Sequence, residues 1–190
     1  RKFTAVPYAV YKWWATPSQL REGVLFLGRL KMTEHGFYIV SDVFFDDFPD
    51  PFLKGNKAER RPHYYCFTDK QTGLYLLIPM SSRVEKYKKL IDKRELSGKP
   101  CDIFHIAKLD NGKEGVFLIQ DMFPITSNYI LRKYTIGENH FRVTSENLSR
   151  EIDKKARKVL VLIRKGVKFT HTQPDVLSIE RKLLSELNNK

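Results

Sequence analysis

Two hydroxyls, a histidine and a group of cations fall within one stretch of thirty residues, Arg60 to Lys89 (RRPHYYCFTDKQTGLYLLIPMSSRVEKYKK). Arg60, Arg61 and His63 introduce a short aromatic run, and Ser81, Ser82, Arg83 and Lys86 follow a second apolar run. No carboxylate cluster and no Cys/His ligand spacing accompanies them, so these residue types suit the handling of a phosphodiester better than metal chemistry. Cutting a phosphodiester without metal needs an oxygen nucleophile in line with the phosphorus and a leaving oxygen opposite it. One group must take the nucleophile's proton and another must protonate the leaving oxygen. Fixed positive charge must stabilise the crowded phosphorane oxygens. His63, with an ordinary pKa of about 6.5, is the natural proton-transfer candidate. Ser81 and Ser82 can donate hydrogen bonds to the phosphate, backed by backbone N–H groups at a helix start. Arg83 can grip the phosphate bidentately, with Lys86 behind it. The residues leave open which group is the base and which the acid. Each also has a structural role: a lone His in an apolar strand is most often core, and a Ser pair is first of all a helix cap.

The elements that position these groups can be read from periodicity. The two apolar runs form a hairpin turning at Lys70-Gln71-Thr72-Gly73, with the second strand covering Leu74 to Pro79. Ser81 or Ser82 is expected to cap a helix over Arg83 to Glu95, in which Val84, Tyr87 and Ile91 fall at helical spacing and which Ser97-Gly98-Lys99-Pro100 ends. Phe37 to Val40 reads as a strand, and Ser41 or Asp42 caps a brief helix carrying Phe44, Phe45 and Phe48. Pro49 to Asn56 reads as a loop. Asp110-Asn111-Gly112 joins a strand within Asp102 to Leu109 to another at Val116 to Gln120. Thr126 is expected to cap a helix with Tyr129 and Ile130, and His140 to Val143 is expected to be a strand. A long helix covers Ser145 to Lys165 with Ile152, Ala156, Val159, Leu160 and Ile163 as its buried stripe, and Gly166 stops it. A last helix covers Pro174 to Leu187. Hairpins interspersed with separate helices imply an α+β domain with a mostly antiparallel sheet.

Composition bounds the function. The 190 residues carry a net charge of +12, with 42% hydrophobic and 13% aromatic residues, which places the chain among basic globular proteins. Clustered Lys and Arg at such a charge are the usual footprint of a nucleic-acid binder. Lys88, Lys89, Lys93 and Arg94 line the first basic helix. Arg150, Lys154, Lys155, Arg157, Lys158, Arg164, Lys165 and Lys168 run along the long one, against Glu151 and Asp153. These cations, with Arg60, Arg61, His171 and Thr172, are candidate RNA contacts, and Tyr64, Tyr65, Phe67 and Tyr87 could stack on unpaired bases. Two cysteines, Cys66 and Cys101, are too few for a secreted disulfide framework, and buried free thiols in a cytoplasmic protein are expected. No run approaches the length of a membrane span. Residues 1–31 differ in character, with six cations against one acid and no secretory-signal layout. The expectation is an upstream extension ahead of a functional domain, 32–190, that starts near Met32. The competing reading is an added strand pair carrying Trp13 and Trp14.

The order GFYIVSD, FF, DF, RRPHYYCF, GLYLLIPMSSRVEKYKK, FHIAKL, VFLIQDMFPIT and GVKFTHTQPDVL resembles the toxins of type III toxin–antitoxin systems. The likeness is to the CptN branch, grouped with ToxN, TenpN and AbiQ, and it runs from Gly36 nearly to the C-terminus. It implies a strongly bent, mostly antiparallel sheet with flanking helices, distantly like MazF and Kid. It implies a metal-independent, sequence-preferring endoribonuclease without cofactor. Its partners would be cellular or phage RNA and a small structured antitoxin RNA, made from tandem repeats that the toxin itself cuts and held in a protein–RNA assembly. Where ToxN-like members carry Thr-Ser-Pro-Lys, this chain has Ser81-Ser82-Arg83-Val84, so Arg83 or Lys86 stands in for the lysine charge. His63 replaces a lysine that follows the proline in those members. The rival readings from the residues alone are a non-catalytic basic RNA-binding module and an adaptor.

Overall fold

The structure, a computed structural model, describes residues 30–53, 55, 60–98 and 100–189. The chain divides into two units, Arg1–Lys31 and Met32–Lys190, and the strands and helices among the described residues all belong to the second. The reading of residues 1–31, with Trp13 and Trp14, lies outside the described residues except at positions 30 and 31, as do Asn56 and Lys99.

Strand β1 (Phe37–Val40) leads into a short helix α1 (Asp42–Asp47), capped by Ser41, whose Oγ accepts from the Val43 N–H. The hairpin follows as β2 (His63–Thr68) and β3 (Tyr75–Ser81). Its turn closes through Gly73 N–H to Asp69 O and Asp69 N–H to Leu74 O, both 2.8 Å. Gly73 sits at φ +71°, a conformation that costs glycine nothing. Helix α2 (Val84–Leu96) leaves β3 directly, and β4 (His105–Lys108) and β5 (Glu114–Phe117) form the second hairpin. A 3₁₀ turn at Ile119–Asp121 leads to β6 (Phe123–Ile125), and a second at Ser127–Tyr129 leads to β7 (Ile130–Lys133). A two-residue pair, β8 (Thr135–Ile136) and β9 (Asn139–His140), precedes helices α3 (Glu146–Arg164) and α4 (Val176–Asn188). The result is an α+β fold whose main sheet is antiparallel, in the order β4-β5-β3-β2-β1-β7 with β6 also on β3.

The free edge of β3 changes partner along its length, and this shapes the site. Tyr75, Leu76 and Leu77 pair with β6, while Met80 and Ser81 pair with Phe117 and Val116 of β5. Between them Pro79, which has no N–H to give, accepts from the Leu118 N–H at 3.0 Å. One face of the sheet packs Phe37, Tyr64, Cys66, Leu76 and Ile78 against Ile152, Ala156, Val159 and Leu160 of α3. A second aromatic group joins Phe44 to Phe48, Phe123 and Tyr129 at 4.9, 5.1 and 5.4 Å. Arg164, near the end of α3, ties the hairpin turn to α4 through Asp69 (2.6 Å), Gln71 (2.8 Å) and Glu180 (2.7 Å). Gly36 lies so close to the His140 ring that an added Cβ would sit 2.5 Å from it.

Three local expectations are corrected. Neither Ser81 nor Ser82 caps α2: Ser81 ends β3, and Arg83 occupies the cap position with no side-chain bond. The segment after Thr126 is a single 3₁₀ turn, and Ile130 begins a strand, because its side chain is drawn into the sheet beside Val40. The strand expected at His140–Val143 shrinks to Asn139–His140 with one further bridge at Arg142. Ser145 does cap α3, and Gly166 ends it at φ +84°. Both cysteines are buried free thiols. Cys66 donates to Asp153 Oδ1 at 3.0 Å, and burial pushes its pKa well up.

Candidate nucleic-acid interface

The corner between β3 and α2 gathers most of the expected chemistry. Ser81 Oγ accepts from the Arg83 N–H at 3.2 Å, a local turn that leaves Ser82 and Arg83 exposed at the start of α2. Helix α2 begins there, so its first backbone donors open at the same place. Arg61 enters from the other strand, since the segment before β2 runs alongside the end of β3 with His63 opposite Pro79. Its half-buried guanidinium donates to the Gly55 carbonyl at 3.1 Å. Burial lowers the Arg61 pKa from its ordinary value. Tyr87 and Asp121 oppose that shift, and the charge of Arg83 adds to it. Arg61 and Arg83, next to two hydroxyls and a helix start, form a site that can receive an anion, with the buried Asp121 carboxylate already offsetting part of the Arg61 charge.

His63 stands apart from this group and is corrected as the proton-transfer residue. It is fully buried, with ring contacts to Phe45 (6.3 Å) and Phe123 (5.4 Å), and neither ring nitrogen makes a hydrogen bond of good geometry, the Arg61 backbone being the polar group closest to providing one. Burial first, and the Arg61 charge second, lower its pKa to about 3, with only the Arg61 backbone opposing. An imidazole in that position is neutral at physiological pH and out of reach of a ribose hydroxyl.

Behind the corner, one face of α2 lines a cavity of about 660 Å³. Lys86, Tyr87, Leu90, Lys93 and Arg94 of α2 line it together with Phe52, Phe104, Gln120, Thr170 and Thr172. The structure thus brings Thr172 together with Lys86 and Lys93, a residue of a distant turn beside two of the same helix. His171 is exposed in the same turn, and Arg60 and Lys89 are exposed as well. Lys88 is turned toward acids, 3.0 Å from Glu85 and 3.7 Å from Glu114.

The cations of α3 are placed differently. Lys155 lies 3.2 Å from Glu151 and 3.0 Å from His105 Nδ1, and Lys158 pairs with Asp102. Arg157 stacks on the Phe67 ring at 3.9 Å, and Arg150 lies 3.8 Å from Glu146. Lys154 is exposed. Tyr64, Tyr65 and Phe67 are core and offer no face to a base, whereas Tyr87 borders the cavity. Sequence reasoning passed over Gln120 and Phe104 as site residues. The available signal for Gln120 was an amide inside the apolar run from Val116 to Phe123. Among the described residues, no group of three or more His, Cys, Asp or Glu is placed to hold a metal ion, and no helix is long and apolar enough to cross a membrane.

A main antiparallel sheet whose third strand carries three partners, with helices set against it, is a fold seen before in solved structures. The chain is similar to AbiQ, a lactococcal anti-phage endoribonuclease belonging to the type III toxin–antitoxin system. The TM-score is 0.60 and the identity 15%, over 83% of this chain and 100% of AbiQ. At that identity the likeness establishes the fold. No protein-family model matches the chain, and no curated protein matches it.

Proposed function

We propose that this protein is an endoribonuclease toxin of the type III toxin–antitoxin kind, close to the CptN branch, with Met32–Lys190 as its working unit and residues 1–31 as an upstream extension. The observation that carries the proposal is the convergence of Arg61 and Arg83 on the Ser81–Ser82 corner of an AbiQ-like fold. The reaction is attack of a ribose 2′-hydroxyl on the adjacent phosphorus, with a 2′,3′-cyclic phosphate and a 5′-hydroxyl as products and no metal required. Arg61 and Arg83 hold the phosphate and stabilise the charge that develops on its oxygens. Ser82, exposed at the corner, donates a hydrogen bond to one of those oxygens, and Ser81 fixes the turn that presents it. Lys86, exposed one turn along α2, is the donor of the proton that the leaving 5′ oxygen gains. The proton of the attacking 2′-hydroxyl passes to a phosphate oxygen and from there to solvent. His63 takes no part in the chemistry and is core.

The substrates are cellular or phage RNA in the cytoplasm, and the inhibitor is a structured antitoxin RNA that the protein itself processes into repeat units and holds in a protein–RNA assembly. Incubation with mixed RNA in EDTA tests the reaction: fragments with 5′-hydroxyl ends support it, and intact RNA overturns it. Deleting residues 1–31 without loss of cleavage would support the domain boundary. The burial of His63 favours one other reading, a non-catalytic RNA-binding module, and the same incubation separates the two.

A further inference from the structure

The cavity beside α2 contains a feature that phosphate contact does not use. Gln120 is 4% exposed and lines the cavity, yet its side-chain Oε1 has no hydrogen-bond partner. Its Nε2 donates to Asp121 Oδ1 at 3.2 Å, which fixes the amide orientation and leaves the buried acceptor as the unsatisfied end. A buried, unpaired acceptor costs free energy unless a partner supplies a donor. A second buried polar atom on the wall, Arg94 Nε, is likewise unpartnered. The lining also holds aromatic rings, Tyr87 against Phe104 at 4.8 Å and Phe52, with Lys86 and Lys93 as cations. Aromatic walls, a few unpaired polar atoms and adjacent cations are the components of a nucleobase site, and the volume is ample for a nucleotide.

We propose that this cavity binds one unstacked base of the RNA and selects a base that presents an exocyclic amine to Gln120 Oε1. The inference rests on the endoribonuclease reading and adds to it a specificity-determining residue. The geometry of α2 supports the pairing of the two sites. Leu90 in the cavity lies seven residues beyond Arg83, which at helical rise is about 10 Å along the axis. A single strand gripped at the corner by its phosphate can therefore set a nearby base in the cavity. An acceptor at the base edge favours amine-bearing bases over uracil, whose exocyclic groups at that edge are carbonyls.

The test uses the full chain and short single-stranded RNAs, read both by fluorescence anisotropy in the inactive Ser82→Ala background and by cleavage with the active protein. At every position in turn, adenine is compared with purine, cytosine with pyrimidin-2-one and guanine with hypoxanthine, pairs in which only the exocyclic amine is removed. The expected result is one position at which removing the amine weakens binding or cleavage about tenfold or more. Gln120→Leu should abolish that discrimination while still binding RNA. Leu90→Trp is the companion variant, because Leu90 is an exposed wall residue whose enlargement fills the cavity without disturbing the core. It should produce the same loss of discrimination if Gln120→Leu does not fold. RNA that binds and is cleaved with no amine-sensitive position overturns this inference and leaves the endoribonuclease reading intact. Failure to bind or cleave any RNA overturns both.

Discussion

Helices α2 and α3 are both rich in lysine and arginine, and the fold gives those charges different work. On α3, Lys155, Lys158 and Arg164 meet Glu151, Asp102 and the Asp69–Glu180 pair, while Arg157 stacks on Phe67. On α2, Lys86, Lys93 and Arg94 border an open cavity, and Arg83 sits at a corner beside another arginine. A count of cations favours α3 as the RNA-holding face. The partners favour α2, because a cation already matched to an acid adds little to phosphate binding, whereas one in an unbalanced cluster adds more. The difference also separates two mutational outcomes: changes on α2 should alter RNA handling, and changes on α3 should alter stability.

The largest effect is expected at the corner where α2 begins. Ser82→Ala removes a hydrogen bond to the transition state and should lower the cleavage rate by about 10²–10³ while RNA binding and expression are nearly unchanged. Toxicity in cells should disappear with it. A variant that cleaves at the normal rate would move catalysis away from this corner and remove the main asymmetry between the helices.

On the other side of the comparison, Arg164→Met should cost about 3 kcal/mol of stability, since it leaves Asp69 and Glu180, both mostly buried, without their cation. Urea unfolding at neutral pH measures this. RNA affinity of the folded variant should be unchanged, and a loss of affinity at preserved stability would return α3 to the interface.

The salt dependence of RNA binding sharpens the contrast further. With about −0.7 in log–log slope for each phosphate contact on a single strand, replacing Lys86, Lys89 and Lys93 with Ala should reduce the slope by about 2. Replacing Lys154, Lys155 and Lys158 should change it by less than about 1, because two of the three are engaged by acids or by His105. Equal changes in the two triple variants would mean that the ion pairs of α3 open when RNA arrives.

How much was legible in the sequence depends on the range of the forces involved. The α3 stripe, its Ser145 cap and the Gly166 stop are local, and they stand where periodicity puts them. The hairpin from His63 to Ser81 is local as well. The role of Ser81 was not legible, because whether a serine caps a helix or ends a strand depends on what pairs with it, and here β5 reaches across to Ser81 from Val116. The same holds for Lys155 and Lys158: their partners His105 and Asp102 are some fifty residues away in sequence, so a charge count along one helix could not see them. The cavity is the extreme case. Gln120, Tyr87 and Thr172 come from three elements, and only their packing makes them neighbours.

His63 provides the smallest effect and a separate check on which residues belong to the corner. Its pKa falls from an unfolded value of about 6.5 to about 3 in the folded protein, chiefly through burial. Between those values the unfolded chain binds a proton that the folded chain refuses. Stability is therefore fully present above about pH 6.5 and declines as pH falls toward 3, by up to about 1.4 kcal/mol for each pH unit from this group alone. His63→Leu puts an apolar side chain between Phe45 and Phe123 and removes two buried, poorly satisfied ring nitrogens. The variant should be at least as stable as the native protein at pH 7 and should hold its urea midpoint better at pH 5. Cleavage at pH 7 should stay within a fewfold of the native rate, because a residue sealed behind the sheet has no access to the phosphate. A folded His63→Leu protein that has lost about a hundredfold or more in cleavage would place the imidazole back in the reaction and require the strand that carries it to open toward the RNA.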